Sequence, residues 1–384
     1  MPKALKDFRN VYVVGIGFHP YQFFSATPYL TLGLTAVQQA LGDAGIKWPS
    51  VESVYHGTAM LGMAPTRGML KHLGATGIPM TQVENASASG STAFRQSVLE
   101  VAGGFSDVSL CLGVDKPALV NMPGSQNFGI RPLDAGRIAP ITHFALLAQN
   151  YMEKYGVDSE DFGRVAVKNS HNGALNPNAQ KQRALNLDTV LEGEPLSGVL
   201  TKRQCCPIGE GGAAVIVASE EGIRKHGIDM SRAVKVLSST LTSEEVYENA
   251  TDFDAELTRH TTKLALAQAG VSAKELDVVE LHDAFSVEEL FYLEAMGIAQ
   301  PGEASHMLKE GIFDIGGEVA VSPSGGLLSM GHPIGPTGVG QIAEITRQLR
   351  HEAGDRQQPN AKLGLAHMVG LGAVCSVHVL SKEA

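Results

Sequence analysis

The sequence has few cysteines, a single tryptophan and no long apolar run. Its four cysteines among 384 residues lack metal-ligand spacing, which argues against both a disulfide framework and a structural zinc site. No stretch reaches the roughly 18 consecutive apolar residues that span a bilayer. The first residues also lack the apolar core of a signal peptide. We therefore expect a cytoplasmic protein without a membrane span or a bound metal.

Positive charge is also scarce. The chain has 30 basic and 40 acidic residues, a formal charge of −10, and no cluster of lysine and arginine. A nucleic-acid partner is not expected, because such proteins carry a basic patch that meets the phosphate backbone. The acidic balance still allows a phosphorylated small molecule, since a few backbone N–H groups at helix N-termini can hold phosphate.

What the sequence does have is an α/β pattern that occurs twice. An apolar strand at 11–17 precedes a helix whose apolar face recurs from 32 to 41. The same order returns later, with a strand at 233–237 and a helix at 257–270. The chain is also too long for one small core. An α/β fold built from two halves of similar plan is therefore predicted.

The two predicted halves are 1–230 and 231–384. Within the first half, the pattern breaks at about 121–204 into polar, turn-rich sequence with helical pieces at 144–155 and 162–170. Long excursions from a compact domain usually form a lid or a binding insertion. The alternative is an arm used in oligomerisation, and the sequence does not decide between the two.

The stretch 322–338, SPSGGLLSMGHPIGPTG, surrounds His332 with glycines and prolines. Apolar residues at helical spacing follow at once, so His332 should lie on a tight turn at the start of a helix. Unpaired backbone N–H groups and the positive end of the helix dipole favour an anion or a developing oxyanion there. The alternative is a turn in which His332 has no role. The density of residues with unusual backbone angles favours function, because such turns cost stability.

Three further stretches place polar residues at a strand end or a helix start, where α/β proteins bind ligands. They are 83–93 with Ser87, 280–286 with His282 and Asp283, and 363–372 with His367. Each has a structural alternative: Ser87 and Asp283 could cap the helices that follow, and His367 could be a core histidine. Four such stretches in one duplicated chain favour a shared function.

At this point the sequence resembles the thiolase superfamily, and most closely its sterol-carrier-protein-type branch, over nearly the whole chain. The most specific mark is GHPIGPTG at 331–338, and HDAF at 282–285 and GEGGAA at 209–214 are similar to further elements of that branch. The resemblance implies a duplicated thiolase fold of five layers, α-β-α-β-α. It also implies a homodimer that acts on coenzyme A thioesters and has no permanently bound cofactor.

The chemistry depends on where this chain departs from that family. A thiolase has a nucleophilic cysteine in Asn-x-x-Cys, and the matching stretch ENASASG at 84–90 has Ser87 in that place. The second, acid/base cysteine of many thiolases is similarly replaced by His367. A thiolate attacks thioesters readily, whereas a serine needs a strong base and forms a more stable oxygen ester. Ordinary thiolysis is therefore not expected, and neither Cys375 nor the pair Cys205-Cys206 is an evident substitute.

The residues that would stabilise an enolate are retained. The chain resembles thiolase-like aldolases of steroid side-chain degradation, which lack the catalytic cysteines, and this implies retro-aldol cleavage of a bulky β-hydroxyacyl-CoA. His332 and His282, with Asp283 beside them, would hold the enolate oxygen. Tyr292 or His367 would be the base that takes the β-hydroxyl proton.

Further expectations accompany this resemblance. The turn Ser324, Gly325 and Gly326 is expected to line the pocket for the CoA thioester, and Tyr247 is a weaker candidate for proton transfer. Those aldolases work with a small OB-fold partner of the DUF35 type, which implies a heteromeric complex here.

Two other functions stay open. In the first, the chain is an acyltransferase and Ser87 carries the acyl group, which a stable adduct would reveal. In the second, it is a catalytically silent relative that serves as a binding subunit. The composition of the insertion at 121–204 does not specify a steroid, fatty or aromatic acyl chain.

Overall fold

The computed structural model describes residues 4–117, 140–247, 253–371 and 373–382. The strands are β1 (Val11–Gln22), β2 (Ser53–Gly57), β3 (Met80–Val83), β4 (Val108–Asp115), β5 (Pro195–Ser197), β6 (Leu200–Thr201), β7 (Glu210–Ser219), β8 (Val234–Ser243), β9 (Val278–Glu280), β10 (Ala320–Val321), β11 (Leu363–Gly370) and β12 (Val374–Ser381). The helices are α1 (Tyr29–Ala44), α2 (Pro65–Leu70), α3 (Ser89–Ala102), α4 (Pro140–Tyr155), α5 (Ser159–Ala174), α6 (Leu187–Leu191), α7 (Glu220–His226), α8 (Phe253–Ala269), α9 (Ser286–Ala295), α10 (Ala304–Lys309), α11 (Gly326–Ser329) and α12 (Gly335–Leu349).

Ten of the described strands form one mixed sheet, in the order β10-β9-β11-β12-β8-β1-β7-β4-β2-β3. When the five strands from each half of the chain are numbered in chain order, both halves of the sheet read 3-2-4-5-1. The halves meet where β1 pairs antiparallel with β8, at Tyr12 with Lys235 and at Val13 with Val234. This repetition supports a division of the chain at about residue 230, which stays a prediction.

The side chains of β7 alternate between two cores. Val215 and Val217 face a core shared with α3 and α12, whereas Ala214 and Ile216 face a core shared with α1. On the far side of the second half of the sheet, α8 and α9 cover a third core together with parts of α4 and α5. The layers are therefore α-β-α-β-α, and the predicted thiolase fold is confirmed. The two β layers are parts of one continuous sheet.

Helices α3 and α12 cross at the centre of the protein through small residues. A Cβ atom on Gly90 of α3 would lie 2.2 Å from the carbonyl oxygen of Gly335 in α12. Only glycine permits so close an approach. The N-termini of the two helices are therefore adjacent. As a result, Ser87 and His332, which precede them and stand 245 positions apart in the chain, come into contact.

The predicted insertion contains α4, α5, α6 and the small hairpin of β5 and β6, while its residues 121–139 lie outside the described residues. The helices predicted at 144–155 and 162–170 are confirmed within α4 and α5. Asp158 caps α5, where its carboxylate accepts the N–H groups of Glu160 and Asp161. Helix α5 then packs against α9 and α11, so this part of the insertion supports the centre of the fold.

The described residues contain no helix that is both long enough and apolar enough to cross a bilayer. Within the same part of the chain, no three His, Cys, Asp or Glu side chains are grouped so that they could hold a metal ion.

Candidate active site

His332 lies on a strained turn at the N-terminus of α12, as the sequence predicts. Ile334, two residues later, has a φ of +63°, which a β-branched residue rarely adopts. The imidazole of His332 is engaged at both nitrogens. Its Nδ1 lies 2.9 Å from the Thr337 hydroxyl, and its Nε2 lies 2.9 Å from the Ser87 hydroxyl. The backbone N–H of Gly335, the first residue of α12, donates to Oδ2 of Asp115 at 2.8 Å. This bond holds the turn against the end of β4.

Ser87 lies on the turn between β3 and α3. The turn is closed by Ser89, whose hydroxyl donates to the carbonyl of Ala86 at 2.6 Å and accepts the N–H of Asn85 at 2.9 Å. Helix α3 has no side-chain cap, so Ser87 does not serve as one. The partly exposed Ser87 is instead free to direct its hydroxyl at His332.

His282 follows β9 and faces His332. The two imidazole rings are perpendicular, with their centroids 5.5 Å apart. On its other side, His282 Nδ1 lies 3.0 Å from Oε1 of Glu288 in the first turn of α9. The second oxygen of Glu288 accepts the N–H of Phe285 at 2.8 Å, which fixes the carboxylate. A carboxylate accepts hydrogen bonds, so Nδ1 carries a proton, and in the neutral form of this imidazole Nε2 has the lone pair.

His367 and Tyr292 lie behind His282, inside the protein. His367 is fully buried in β11: its Nδ1 accepts the backbone N–H of His282 at 3.4 Å, and its Nε2 lies 3.0 Å from the Thr258 hydroxyl. The Tyr292 ring packs edge-on against His367, with centroids 4.9 Å apart, and is only 1% exposed. Tyr247 packs against the third core, the outer core beneath α8 and α9, which also contains Tyr292. The structure brings Tyr292 and His367 together as buried neighbours of the His282 backbone.

Asp283 holds the turn at 324–326 instead of facing the histidines. Its Oδ1 accepts the N–H of Leu327 at 2.6 Å, and its Oδ2 accepts the side-chain amide of Asn169 at 2.7 Å. A Cβ atom on Gly326 would lie 2.1 Å from Oδ2 of Asp283, so glycine is required there. Asp283 also does not cap α9, because the cap position is Phe285 and has no side-chain hydrogen bond.

Asn169 ties this turn to a buried ion pair. The ammonium of Lys168 lies 3.1 Å from Oε1 of Glu289, and the Asn169 amide donates to Oε2 of Glu289 at 3.0 Å. Lys168 also donates to the carbonyl of Val321 at 2.7 Å. Buried charges require partners of this kind. Helix α5, which belongs to the predicted insertion, therefore braces the turn beneath the site.

The turn Ser324, Gly325 and Gly326 uses its own backbone donors within the protein. The N–H of Ser324 donates to Glu280 at 2.9 Å, that of Gly325 to the Ser322 carbonyl at 2.9 Å, and that of Gly326 to the Ser324 hydroxyl at 3.2 Å. These three donors are not available to a ligand. A contribution of this turn to the CoA pocket stays a prediction, and it would be one of shape.

Glu280 lies beneath the same turn as a fully buried carboxyl. Its two oxygens accept hydrogen bonds from the backbone N–H and the hydroxyl of Ser324. Burial and the nearby charge of Glu344 raise the pKa of Glu280 to about 8. The carboxyl is therefore protonated at neutral pH in the folded protein and ionised in the unfolded chain.

The substitution Glu280→Gln is expected to change how stability depends on pH. A carboxyl with a raised pKa favours the folded state fully below its unfolded pKa of 4.5, and this contribution is lost as the pH rises to about 8. Across that window, wild type should lose up to about 1.4 kcal/mol per pH unit relative to the variant. Thermal unfolding of both proteins between about pH 5 and pH 7.5 measures the difference. Parallel Tm curves would contradict it.

His332 and His367 are neutral imidazoles at physiological pH. Burial holds the pKa of each well below the ordinary value for histidine. A neutral His332 has a single N–H. With the proton on Nε2 it is a hydrogen-bond donor toward the open side of the site, and with the proton on Nδ1 it is a base for Ser87. The tautomer of His332 therefore decides whether it can donate a hydrogen bond to an oxyanion or accept the proton of Ser87.

The four cysteines do not replace the missing nucleophile. Cys111 and Cys375 are buried in β4 and β12, and burial raises the pKa of Cys375 to about 12 and that of Cys111 well above its usual range. Burial also raises the pKa of Cys205 to about 11 and that of Cys206 further. A thiol with a raised pKa stays protonated and is a poor nucleophile.

Sequence reasoning missed three residues of the site. Glu288 was within reach, because it lies six positions after His282 in the first turn of the helix predicted to follow. Thr337 stands inside the glycine-rich stretch, at the helical position that returns to His332. Asn169 lies in the insertion, and nothing in the sequence indicates that it meets Asp283.

Comparison with known proteins agrees with this architecture. Two family models match, "Thiolase, N-terminal domain" over residues 16–185 and "Thiolase C-terminal domain-like" over residues 239–382. Sterol carrier protein 2 of Gallus gallus is 35% identical over 98% of this chain and 72% of its own. Benzoylsuccinyl-CoA thiolase subunit BbsB of Thauera aromatica is 33% identical over 96% of each chain.

Solved structures share the fold. The Ltp2-ChsH2(DUF35) aldolase superposes with a TM-score of 0.82 at 24% identity, over 97% of each chain. Human mitochondrial 3-ketoacyl-CoA thiolase superposes with a TM-score of 0.73 at 18% identity, over 98% of this chain and 99% of its own. At these identities the likeness establishes the fold alone. Together with the relatives above 30% identity, it places the chain: it belongs to the thiolase superfamily, resembles the sterol-carrier-protein-type branch, and has Ser87 where a thiolase has its nucleophilic cysteine.

Proposed function

We propose that this protein is a lyase that cleaves a bulky β-hydroxyacyl-CoA by a retro-aldol reaction into a short-chain acyl-CoA and a ketone or aldehyde. The observation that carries the proposal is a difference between two histidines. His282 has a carboxylate partner, Glu288 at 3.0 Å, whereas the partners of His332 are the hydroxyls of Thr337 and Ser87. His282 is therefore equipped to act as a base, and His332 as a neutral hydrogen-bond donor. A retro-aldol reaction needs one of each.

In the proposed reaction, His282 Nε2 takes the proton of the β-hydroxyl group. The electron pair of that O–H bond forms the carbonyl of the departing ketone or aldehyde, and the Cα–Cβ bond breaks. Its electrons move to the thioester carbonyl and generate an enolate oxygen, to which His332 Nε2–H donates. The proton held by His282 then returns to Cα. Atoms and charge balance without a covalent acyl-enzyme or a resident cofactor, and coenzyme A enters and leaves as part of the substrate.

We assign the role of the base to His282 instead of Tyr292 or His367, the two residues predicted from the sequence. Tyr292 and His367 are screened from solvent, and both nitrogens of His367 are already engaged, with Thr258 and with the backbone of His282. We propose that His367 positions His282 and that Tyr292 packs to hold His367. Asp283, through its bond to Leu327, would set the turn that borders the thioester.

The surroundings of His332 support an apolar acyl group. Ile208 forms a backbone bridge with His332, yet the residue is 63% exposed. Leu371, just beyond β11, is 62% exposed, and the preceding Gly370 lies against the carbonyl of Asn85 in the turn that bears Ser87. Exposed apolar side chains beside a polar site are typical of pockets that take a large apolar ligand.

The alternative activity is acyl transfer through Ser87. It is favoured by the contact of 2.9 Å between the Ser87 hydroxyl and His332 Nε2. A serine nucleophile, however, needs a histidine whose distal nitrogen bonds to a carboxylate, because the carboxylate stabilises the imidazolium that forms. The distal nitrogen of His332 instead bonds to the Thr337 hydroxyl. For this reason we favour the aldolase over the acyltransferase.

The same proposal includes an assembly. The name of one structural neighbour, the Ltp2-ChsH2(DUF35) aldolase, joins an aldolase to a DUF35 protein. We propose that this chain likewise forms a homodimer, works with a small OB-fold protein of that type and acts in the cytoplasm. A catalytically silent binding subunit is the remaining alternative, and the paired His282 and Glu288 disfavour it because binding alone does not need a base.

The test is product release by the purified protein, supplied with its OB-fold partner. We expect a ketone or aldehyde from a β-hydroxyacyl-CoA, no acyl adduct by intact-mass measurement, and retention of most of the rate by Ser87→Ala. A stable adduct on Ser87 together with loss of turnover in Ser87→Ala would establish acyl transfer instead. Binding of CoA without any product from such thioesters would indicate a silent subunit.

A further inference from the structure

A polar stripe runs along one face of α12, directly behind His332. Thr337, Gln341 and Glu344 follow each other at intervals of four and three residues, so they lie on the same side of the helix. All three are at least 95% buried. The stripe faces a small internal cavity, which is also lined by Glu280 and Ser324.

The cavity has the size for one water molecule, and its mostly apolar wall includes polar groups that could bind it. The space open to the centre of a water is about 10 Å³, close to the minimum that holds one. One lining group also needs such a partner: Oε1 of Gln341 is buried and has no hydrogen-bond partner among the described residues, although its amide nitrogen donates to the His367 carbonyl at 3.2 Å. A buried carbonyl oxygen left unpaired costs free energy, which a water would recover.

We propose that one water in this cavity joins Gln341 and Glu280 to Thr337, and that this chain of hydrogen bonds holds His332 in the tautomer with its proton on Nε2. Thr337, Gln341 and Glu280 are then positioning residues, which act on the substrate only through His332. The inference rests on the proposed function for its catalytic meaning, because only an oxyanion donor needs that tautomer.

The direction of each hydrogen bond follows from the groups at the ends of the chain. The amide oxygen of Gln341 can only accept, so the water donates one proton to it. The buried Glu280 is a neutral carboxylic acid, so its O–H can donate to the water. The second proton of the water then goes to Oγ1 of Thr337. In the proposed chain the Thr337 hydroxyl, with one lone pair taken by the water, directs its own proton to Nδ1 of His332, 2.9 Å away, and Nε2 keeps the N–H.

Glu344, the third member of the stripe, keeps Glu280 neutral. Its carboxylate pairs with Arg356 at 2.8 Å and with Arg347 at 3.3 Å, and these guanidinium groups hold the pKa of Glu344 below its usual range. The charge on Glu344 in turn disfavours a second charge on Glu280. One acid of the pair is thus fixed as an anion, and the other is left as a proton donor to the cavity.

The tautomer of His332 can be read directly in the free enzyme, by NMR of protein labelled with 15N-histidine. Among the 13 histidines, the His332 signals are assigned by their loss in His332→Asn. Wild type should show the pattern of an imidazole protonated at Nε2. Gln341→Met, which keeps the length of the side chain but removes the acceptor, and Thr337→Val should each lose that pattern. Their kcat for cleavage should fall on the order of tenfold with little change in KM.

Thr346→Val is the matched control. Thr346 lies on another face of α12, and its buried hydroxyl donates to the Ile342 carbonyl of its own helix, so the Nε2–H pattern should persist. Comparable Tm values and CoA affinity among the variants exclude a general loss of structure. An Nε2–H pattern that is unchanged in both Gln341→Met and Thr337→Val would overturn the inference. Because the NMR measurement needs no substrate, it tests the tautomer even if the lyase assay yields no product.

Discussion

Replacing His282 with alanine is expected to lower the kcat of carbon–carbon cleavage by about 10² to 10⁴, the range that general bases contribute. The Nδ1 atom of His282 has a carboxylate partner, and the ring stands perpendicular to that of His332 with centroids 5.5 Å apart. Steady-state release of the ketone or aldehyde from a β-hydroxyacyl-CoA is the measurement. Substrate binding should change little, since the lost interaction matters most as the proton moves.

Glu288→Gln tests the same base without emptying the site. The amide keeps the shape of the side chain but can donate to Nδ1 of His282, which favours the wrong tautomer. We expect kcat to fall by about 10 to 10². Glu294→Gln is the matched control, because Glu294 lies on the same helix but bonds to Tyr151, and it should leave the rate near that of wild type.

The alternative candidates for the base are Tyr292 and His367. If His282→Ala retained its rate while Tyr292→Phe or His367→Asn lost it, one of the two buried residues would be the proton acceptor. Such a result would require the interior around Tyr292 to open when substrate binds, since only 1% of that residue is exposed in the structure.

The second large effect is expected for His332→Ala, with a loss of about 10² to 10³ in kcat, the range reported for removal of one oxyanion donor. His332 is neutral, and with its proton on Nε2 it offers one N–H at the face that it shares with Ser87. His332→Asn should recover part of the rate, because the amide can again supply an N–H. Comparison of kcat and KM for the two variants measures the donor role.

Ser87→Ala provides the contrast for His332. If His332 acts as an oxyanion donor, loss of the Ser87 hydroxyl should be mild. Equal and severe losses in His332→Ala, Ser87→Ala and the double variant would mean that the two residues act as one nucleophilic unit, as members of a catalytic dyad do. That outcome would replace the lyase by the acyltransferase.

The local features of the site were predictable from the sequence, because glycine, proline and helical periodicity act over short distances. The turn before α12 and the strand end before α9 are of this kind, and they locate His332 and His282 correctly. The layers were predicted from resemblance and not from the pattern of residues. The pairing of β1 with both β7 and β8, which makes the β layers one sheet, depends on contacts across the whole chain.

The roles of the ionisable residues were harder to predict, because they depend on which partner each side chain meets. Asp283 is adjacent to His282 in sequence, yet it points to Leu327 and Asn169. Tyr292 lies in the expected helix, but on the face that packs into the outer core. The carboxylate that does reach His282 belongs to Glu288. Sequence distance identified the neighbourhood of each residue, whereas burial and hydrogen bonding decided what it does.

The strand order has a consequence for how the chain reaches its active form. Strand β1 pairs with β7 from Val11 opposite Ser219, so about two hundred further residues must be synthesised after β1 begins before this neighbour exists. Pairings of such long range close slowly and leave apolar edges exposed in the meantime. The contact between Ser87 and His332 spans a still longer loop. The face that Ser87 and His332 share is thus among the last parts to assemble, and a nascent chain that binds a chaperone before β7 emerges would be protected during that delay.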